Sequence, residues 1–445
     1  MGPGVGQGGG LLALAARLER RRSLLGLAKL ANVGLAMIWG FAVTFVFVRL
    51  LPFNEFRTFL LLVAFANFTI SAELGFSTVI YSRMRRARLA ADAEFRSEEL
   101  GVLLLFMLGI VALGAVLIMA GLLAGGIRTA HPALFLAFYA TAALNLVTLL
   151  ARRALAALDH NLWWEALDFV RRVASLALLL AALIGFPILI SVLLQLALTV
   201  MVVLLGLGTV QRELAMPAGH WLSFGRGWGH VRTNYLGDIG RTGALTLSDI
   251  AAYNAPYFTI VAATQDPRPL LLFDFVFKMS RALSALVRAL VETMLPDLTR
   301  HFHAGEMTNF RSQLRRCLAL SVCTALALGL FLLAVGPVVS SVMFDKRIML
   351  DHTELAVILV LLVGLSLICV SVYLQNGLGR FAALVAPSLA FLCGSLISVP
   401  VAGWLGSVVD APFALRFAMS YALVHVVIAA VHGRMLSRLG KVAPA

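Results

Sequence analysis

Residues 173–210, VASLALLLAALIGFPILISVLLQLALTVMVVLLGLGTV, contain no charged side chain, and this stretch decides the class of fold. As a single α-helix it would be about 57 Å long at 1.5 Å per residue, roughly twice the ~30 Å hydrocarbon core of a bilayer. Gly185-Phe186-Pro187 divides it near the middle, and proline ends or kinks a helix. We therefore predict two membrane-spanning helices, 168–185 and 188–209, that meet at this break.

Similar apolar runs extend over most of the chain. Of its 445 residues, 61% are hydrophobic and only 13% are charged, which excludes a water-soluble globular protein and a sizeable cytosolic catalytic domain. At about 20 apolar residues per span, the sequence predicts spans at 30–51, 58–81, 101–124, 133–151, 168–185, 188–209, 235–263, 270–295, 315–342, 355–374, 381–402 and 412–431. The predicted class is an all-α polytopic membrane protein with about twelve transmembrane helices in two six-helix lobes around a central cavity.

A weak internal repeat supports the two lobes. Segment 158–162, after the fourth span, resembles segment 374–378, after the tenth, at an offset of 216 residues. A repeat in the same orientation is a known plan among transporters. The predicted organisation is a cytoplasmic N-terminal tail (1–24), an N-lobe (25–210), a cytoplasmic inter-lobe loop (211–232), a C-lobe (233–433) and a cytoplasmic C-terminal tail (434–445).

The distribution of basic residues orients the chain. Of the 36 lysines and arginines, 25 lie on one predicted side of the membrane, seven on the other and four inside spans. Basic residues collect in cytoplasmic loops, so the asymmetry predicts that both termini are cytoplasmic. It also accounts for the net charge of +14 without a nucleic-acid partner.

Ionisable side chains inside predicted spans are the main functional signal. Each costs about 2.5 to 3.5 kcal/mol at the bilayer centre, so such residues usually face a cavity or a partner. They are Asp238, Arg241 and Asp249 in span 7, and Asp274, Lys278, Arg281, Arg288 and Glu292 in span 8. At 100° per residue the five in span 8 fall within an arc of about 80°, and we expect this stripe to line an aqueous cavity.

Arg281 differs from the other cations of span 8. Lys278 follows Asp274 by four residues and Glu292 follows Arg288 by four, so each pair can form on the helix surface. Arg281 has no acidic residue three or four positions away, and a doubly charged phosphate is a suitable counter-ion for it.

Two alternatives to these roles remain open. Arg281 can instead pair with Asp249 or Asp238 across the interface with span 7 and simply join the two helices. Glu73, in span 2, can bind a proton or cation during transport, or make a helix-packing hydrogen bond.

The sequence carries no catalytic motif. It has no GxxxxGK[ST], HExxH or GxSxG sequence, and its four cysteines show no CxxC spacing. We therefore predict that the protein is not an enzyme and uses no catalytic residue, metal or cofactor.

Several segments resemble the polysaccharide flippases of the Wzx type, in the multidrug/oligosaccharidyl-lipid/polysaccharide (MOP) exporter superfamily. The main one is ETMLPDLTRHFHAGEMTNFRSQLRRCLAL (292–320), with its Leu-Pro, Arg-containing loop, Ala-Gly-acidic sequence and basic helix start. The others are VRLLPFNEFRTFLLL (48–62), SAELGFSTVIYSRM (71–84), ARRALAALDHNLWWEALDFVRR (151–172) and LQNGLGRFAALV (374–385). Span 7 departs from the pattern because it lacks the usual glycine-rich turn after Ser248-Asp249.

The resemblance implies a flippase of the bacterial inner membrane that moves undecaprenyl-diphosphate-linked oligosaccharide to the periplasmic leaflet by alternating access. Membrane lipid and a polysaccharide polymerase or glycosyltransferases are the further partners it implies. The diphosphate would bind at Arg281, with Lys278, Arg288 and Arg241 as further substrate-binding residues. The residues that would couple transport to an ion, or form the acidic side of the cavity, are Glu73, Asp238, Asp249, Asp274 and Glu292.

Two other functions compete with this one. A proton- or sodium-coupled drug or metabolite exporter of the same superfamily would depend on Glu73, Asp238 and Asp249 and carry cationic substrates. A non-transporting scaffold of a polysaccharide-assembly complex would bury the charges between packed helices.

Overall fold

The computed structural model describes residues 22–89, 95–378 and 380–439, and the regular structure within them is entirely helical. The all-α class is confirmed. The first eight helices are α1 (Arg22–Leu50), α2 (Phe53–Ser71), α3 (Phe76–Leu89), α4 (Glu98–Leu123), α5 (Pro132–Ala143), α6 (Asn145–Ala157), α7 (Asn161–Ala181) and α8 (Ile188–Glu213). They are followed by α9 (Phe224–Ala263), α10 (Pro267–His303), α11 (Met307–Met343), α12 (His352–Gly377), α13 (Ala382–Trp404) and α14 (Phe413–Leu439).

Every predicted span coincides with helical structure. Eight helical segments among the described residues are long and apolar enough to cross a membrane. Helices α2, α7, α9 and α10, in predicted spans 2, 5, 7 and 8, are not among these eight, and the last three contain the charged residues of spans 5, 7 and 8. The predicted tails lie partly outside the described residues, and α14 continues to Leu439.

The predicted break in the long apolar stretch is confirmed. Helix α7 ends at Ala181, a 3-10 turn covers Ala182–Ile184, and Gly185 has a φ of 100°. Pro187 then precedes the first residue of α8. Glycine accepts this left-handed conformation without the cost that a Cβ imposes, and proline favours a new helix start.

The prediction of one unbroken helix over 58–81 is wrong. Helix α2 ends at Ser71 and α3 begins at Phe76, because Leu74 (φ 51°) and Gly75 (φ 85°) both adopt left-handed conformations. The backbone amide of Ser77 donates a hydrogen bond to the Glu73 carboxylate (3.2 Å). Glu73 therefore lies in a turn and satisfies a free amide in the first turn of α3.

The chain forms two compact units. Unit 1 comprises the described residues of 1–46 and 65–243, and unit 2 those of 47–64 and 244–445. The segment predicted as a loop at 211–232 is helical from Phe224 onward. The predicted lobe limits and the cytoplasmic location of the loops stay predictions.

Unit 1 contains a close backbone approach and an ion pair to a buried carboxylate that join several of its helices. A Cβ on Gly101 of α4 would lie 2.1 Å from the carbonyl oxygen of His220, so only glycine permits this contact with the 3-10 turn at Ala218–Leu222. Glu99 is fully buried, accepts a hydrogen bond from the Tyr235 hydroxyl (2.7 Å) and pairs with Arg83 (3.1 Å). These contacts join α3, α4 and the first part of α9.

Unit 2 has an aromatic core. The ring of Phe273 packs edge-on against Tyr257 (4.8 Å between centroids) and Tyr421 (5.5 Å), which joins α9, α10 and α14. Edge-to-face pairs of this kind stabilise packing beyond the area that they bury.

In the turn before α11, hydrogen bonds from Asn309 (3.0 Å) and the neighbouring His301 Nδ1 (2.7 Å) lower the pKa of the Glu306 carboxyl below its usual value.

Candidate functional site

The predicted pair Asp274–Lys278 of α10 forms, but it is buried in unit 2. Asp274 is only 1% exposed, and its carboxylate accepts hydrogen bonds from the Lys278 ammonium group and from the Tyr257 hydroxyl (2.8 Å). Burial makes this pairing necessary, because an uncompensated charge in the interior is very costly. The expectation that Asp274 lines an aqueous cavity is therefore wrong, and Lys278 is held by its neighbour.

The predicted pair Arg288–Glu292 forms near the other end of α10. The Arg288 Nε donates to the Glu292 carboxylate at 2.7 Å, and both side chains are more than half exposed. The Arg288 guanidinium also lies 6.0 Å from the ring centre of Tyr373. The stripe predicted for span 8 thus divides into a buried pair, an exposed pair and Arg281 between them.

Arg281 opens into a cavity inside unit 2. The cavity has a volume of about 230 Å³ and is lined by residues of α9, α10, α12 and α13. Arg281 is exposed, and its guanidinium lies against the rings of Tyr253 (5.5 Å) and Phe277 (5.2 Å). An arginine over an aromatic face keeps its charge while its hydrogen-bond donors stay available to a ligand.

Asp249 lines the same cavity as Arg281 without pairing closely with it. No ion pair within 4.0 Å joins Arg281 to a carboxylate among the side chains that the structure describes. Asp249 and Arg281 therefore interact electrostatically across the cavity without forming a close ion pair, and the alternative pairing with Asp238 lies outside the described side chains. The cavity is lined by one guanidinium, one carboxylate, the Asn376 amide and six hydroxyl residues, which are Thr246, Tyr253, Ser280, Ser284, Tyr373 and Ser388.

A second cavity lies inside unit 1, and we did not predict it as a site from the sequence. It has a volume of about 320 Å³ and is lined by α1, α2, α5, α6, α7 and α8. Its charged residues are Arg152, Asp168, Arg171 and Arg172. The charge distribution along the sequence places these arginines at the inner membrane surface, and Asp168 is not among the predicted site residues.

The unit 1 cavity contains a compact charge cluster on α7. One oxygen of Asp168 accepts hydrogen bonds from the Arg171 Nε (3.0 Å) and Nη2 (2.6 Å), and the other accepts from the Arg172 Nε (2.8 Å). Arg152 of α6 instead pairs with Glu165 at 2.9 Å. An acidic residue followed by arginines at three and four positions was the available sequence signal, since such residues share one helix face.

Solved structures of transporters resemble the chain over almost its whole length, whereas no family model and no curated protein matches it. A variant of the Vibrio cholerae MATE transporter VcmN superposes with a TM-score of 0.65 at 14% identity, covering 97% of this chain and 99% of that one. The chain has the fold of the MATE transporters. An outward-facing MATE family transporter of the MOP superfamily superposes with a TM-score of 0.60 at 15% identity, covering 95% of this chain and 96% of that one. A MOP superfamily transporter from Pyrococcus furiosus superposes with a TM-score of 0.58 at 15% identity, covering 96% of this chain and 99% of that one.

The similarity establishes a multi-pass membrane protein of the MATE fold, a fold with twelve transmembrane helices. The predicted fold is thus confirmed, and membership of the MOP superfamily and the Wzx type within it stay predictions. So do the substrate-binding and ion-coupling roles of the predicted site residues. The side chains of Asp238 and Arg241 lie outside what the structure describes.

Proposed function

We propose that the protein is a flippase for a polyprenyl-diphosphate-linked oligosaccharide in the bacterial inner membrane. The observation that carries the proposal is Arg281, a guanidinium that opens into a cavity with no described carboxylate within ion-pair distance. A diphosphate presents several oxygens to the planar donor fork of an arginine, and such charge-assisted hydrogen bonds are the strong ones. The resemblance of segment 292–320 to Wzx-type flippases points to the same substrate.

The polarity of the cavity fits this substrate class. In the MOP superfamily transporter from Pyrococcus furiosus, reverse polarity of the binding pocket suggests a different function for that protein. Pocket charge is thus a reasonable guide to substrate within this fold. In our chain Arg281 lines the cavity together with Asp249, and we infer an anionic substrate because the guanidinium has no described carboxylate within ion-pair distance.

A mechanism follows from the number of available cations. Lys278 forms an ion pair with Asp274, and Arg288 forms one with Glu292. Arg281 is therefore the cation of α10 that is most available to bind an anion. One strong cation permits release on the far side, where a dense cluster of free cations would retain the diphosphate. The headgroup would bind in the protein while the polyprenyl chain remains in lipid, and alternating access would expose it to the other leaflet.

Transport of labelled lipid-linked oligosaccharide in proteoliposomes tests the proposal. Arg281→Gln keeps a polar side chain but removes the charge, and it should reduce flipping about tenfold or more, because a hydrogen bond to a charged group is worth ~1.5 to 3 kcal/mol. Arg300→Gln is the matched control, since Arg300 is 75% exposed on the same helix and 3.7 Å from Asp297. Unchanged flipping by Arg281→Gln would refute the proposed role.

A second candidate is a proton- or sodium-coupled exporter of cationic compounds. It is favoured by Asp249, which lines the same cavity as Arg281, and by the MATE fold itself. This function requires transport of a cationic drug that depends on an ion gradient and is lost in Asp249→Asn. The same proteoliposomes distinguish the two candidates, because the flippase needs no cationic drug as substrate.

A further inference from the structure

The unit 1 cavity contains an excess of positive charge. Arg171 and Arg172 share the single carboxylate of Asp168, and Arg152 is paired with Glu165, which does not line the cavity. Three guanidiniums thus meet two carboxylates among the described residues around this space. The Arg171 and Asp168 side chains are each only 8% exposed, so water screens the remaining charge poorly. A cavity of this kind favours an anionic ligand.

The neutral polar groups of the cavity mostly offer acceptors. The hydroxyls of Thr141, Thr148 and Thr199 each donate to a backbone carbonyl three or four residues earlier, at 2.8 Å. The amides of Asn145 and Gln195 donate to the Ala142 carbonyl and the Ser191 hydroxyl. These donors are thereby used within the helices, each amide keeps one further N–H, and oxygen lone pairs are left for a ligand. Five acceptor oxygens suit a ligand that carries several hydroxyl groups.

The walls and volume of the cavity fit one sugar ring. The indole rings of Trp39 and Trp164 supply apolar surface, as aromatic side chains commonly do in small-molecule sites. Gly206 makes room for Trp164, since a Cβ there would lie 2.9 Å from that ring. A cavity of about 320 Å³ is at the small end of the range for ligand sites, which is ~300 to 1,000 Å³.

We infer that the unit 1 cavity binds an acidic sugar through Arg172, Arg171 and the threonine and amide oxygens around them. A sugar carboxylate meets the unbalanced guanidinium charge, and the ring hydroxyls donate to the acceptor oxygens. The inference rests on the proposed function in one respect: the sugar would belong to the transported oligosaccharide. The site is distinct from the Arg281 cavity of unit 2, because the two share no lining residue.

Calorimetric titration of the purified full-length protein in detergent tests the inference with three probes: glucuronate, glucose and inorganic phosphate. Glucuronate should bind saturably and at least about tenfold more tightly than glucose, which lacks the carboxylate. It should also bind more tightly than phosphate, which lacks the ring hydroxyls. Phosphate binding as tight as glucuronate would overturn the sugar assignment, and so would equal binding of glucose and glucuronate.

Substitutions locate the binding. Arg172→Gln removes the unbalanced charge and should weaken glucuronate binding about tenfold while leaving glucose binding unchanged. Arg172 is 26% exposed, so the variant should fold, and the thermal midpoint checks this. If it does not fold, Arg172→Lys takes its place, which keeps the charge but lacks the donor fork and should weaken binding several-fold. Arg300→Gln is the control, and full glucuronate affinity in the folded Arg172 variant would overturn the site.

The binding result and the transport result fail separately. The titration needs no lipid-linked substrate, so loss of the proposed flippase function would leave glucuronate binding intact. Conversely, absence of glucuronate binding would leave the Arg281 transport experiment untouched and would remove only the acidic-sugar site.

Discussion

Two ion pairs on α10 have the same spacing but different surroundings. Asp274–Lys278 is 2% and 12% exposed at its two side chains, and Arg288–Glu292 is 57% and 56% exposed. The sequence predicted both pairs, because residues four apart on a helix are neighbours. It did not predict which pair is buried, because a helical wheel gives the shared face and not the helix that covers it. Here the cover includes Tyr257, from another helix.

These two pairs allow a matched test of what burial does to an ion pair. Asp274→Asn leaves Lys278 with a buried ammonium group and no carboxylate, which should cost about 3 to 5 kcal/mol. Glu292→Gln breaks a pair of the same spacing in an exposed position and should cost about 1 kcal/mol or less. The free energy of unfolding of each variant in detergent measures the difference.

The Tyr257 hydroxyl gives this test a second arm. In the wild type it donates to Asp274, and Tyr257→Phe removes this bond while keeping the ring that packs on Phe273. We expect the loss in free energy of unfolding for Tyr257→Phe to lie between the losses for Asp274→Asn and Glu292→Gln. Equal losses from Asp274→Asn and Glu292→Gln would mean that the inner pair is as well hydrated as the outer one.

At the scale of single helices, the sequence predicted one break and missed another. The break at 185–187 was predictable because proline stands next to glycine inside an apolar run. The break after Ser71 has glycine but no proline, and Leu74 adopts a left-handed conformation that its residue type does not favour. Tertiary contacts impose such a conformation, and a pattern of hydrophobicity does not record them.

Helices also extend beyond the predicted spans. Helix α9 begins at Phe224, before predicted span 7, and α10 continues to His303, past predicted span 8. Hydropathy detects only the part of a helix that matches the hydrocarbon core. Helical hydrogen bonding continues into the polar region, because each further turn satisfies its own backbone groups.

The packing of α4 is tested by two glycines of that helix. Gly101 faces the His220 carbonyl oxygen, where a Cβ would lie at 2.1 Å, whereas a Cβ on Gly109 would meet nothing within 4 Å. Gly101→Ala must therefore move the backbone of the 3-10 turn and should lower the thermal midpoint clearly, with a loss of about 1 to 3 kcal/mol for overpacking.

Gly109→Ala is the control for this change. It alters helix propensity by up to about 1 kcal/mol in the stabilising direction and introduces no clash. We expect an unchanged or slightly raised thermal midpoint. If the two alanine variants had the same thermal midpoint, the close approach between α4 and the turn at Ala218–Leu222 would not contribute to stability.

At the scale of the whole molecule, the sequence predicted the fold class but not the unit 1 cavity. Single charges in apolar spans are visible in a sequence, and span 8 carried five of them. The unit 1 cluster was overlooked because Arg171 and Arg172 stand at the start of an apolar run and look like residues of a membrane surface. Only the packing of α6, α7 and α8 encloses them with Trp164 and Gln195.

One helix and the distribution of charge together predict the orientation of the molecule in the membrane. Helix α11 is 37 residues long, about 55 Å at 1.5 Å per residue, so it exceeds the bilayer core and its two ends lie on opposite sides. The exposed residues Thr308 and Lys346 mark these ends. From the 25 to 7 asymmetry of basic residues we predict that Thr308 lies in the cytoplasm and Lys346 outside.

Labelling of single cysteines tests this orientation. The four native cysteines are first replaced by alanine, and Thr308→Cys and Lys346→Cys are then made separately. In intact spheroplasts a membrane-impermeant maleimide should modify Lys346→Cys and spare Thr308→Cys, and lysis should make both reactive. Reversed labelling would place the cations of the 300–316 region outside, against the positive-inside distribution. The end of α11 near Lys346 would then be the cytoplasmic one. Flipping from the cytoplasmic to the periplasmic leaflet would run from that end toward Thr308.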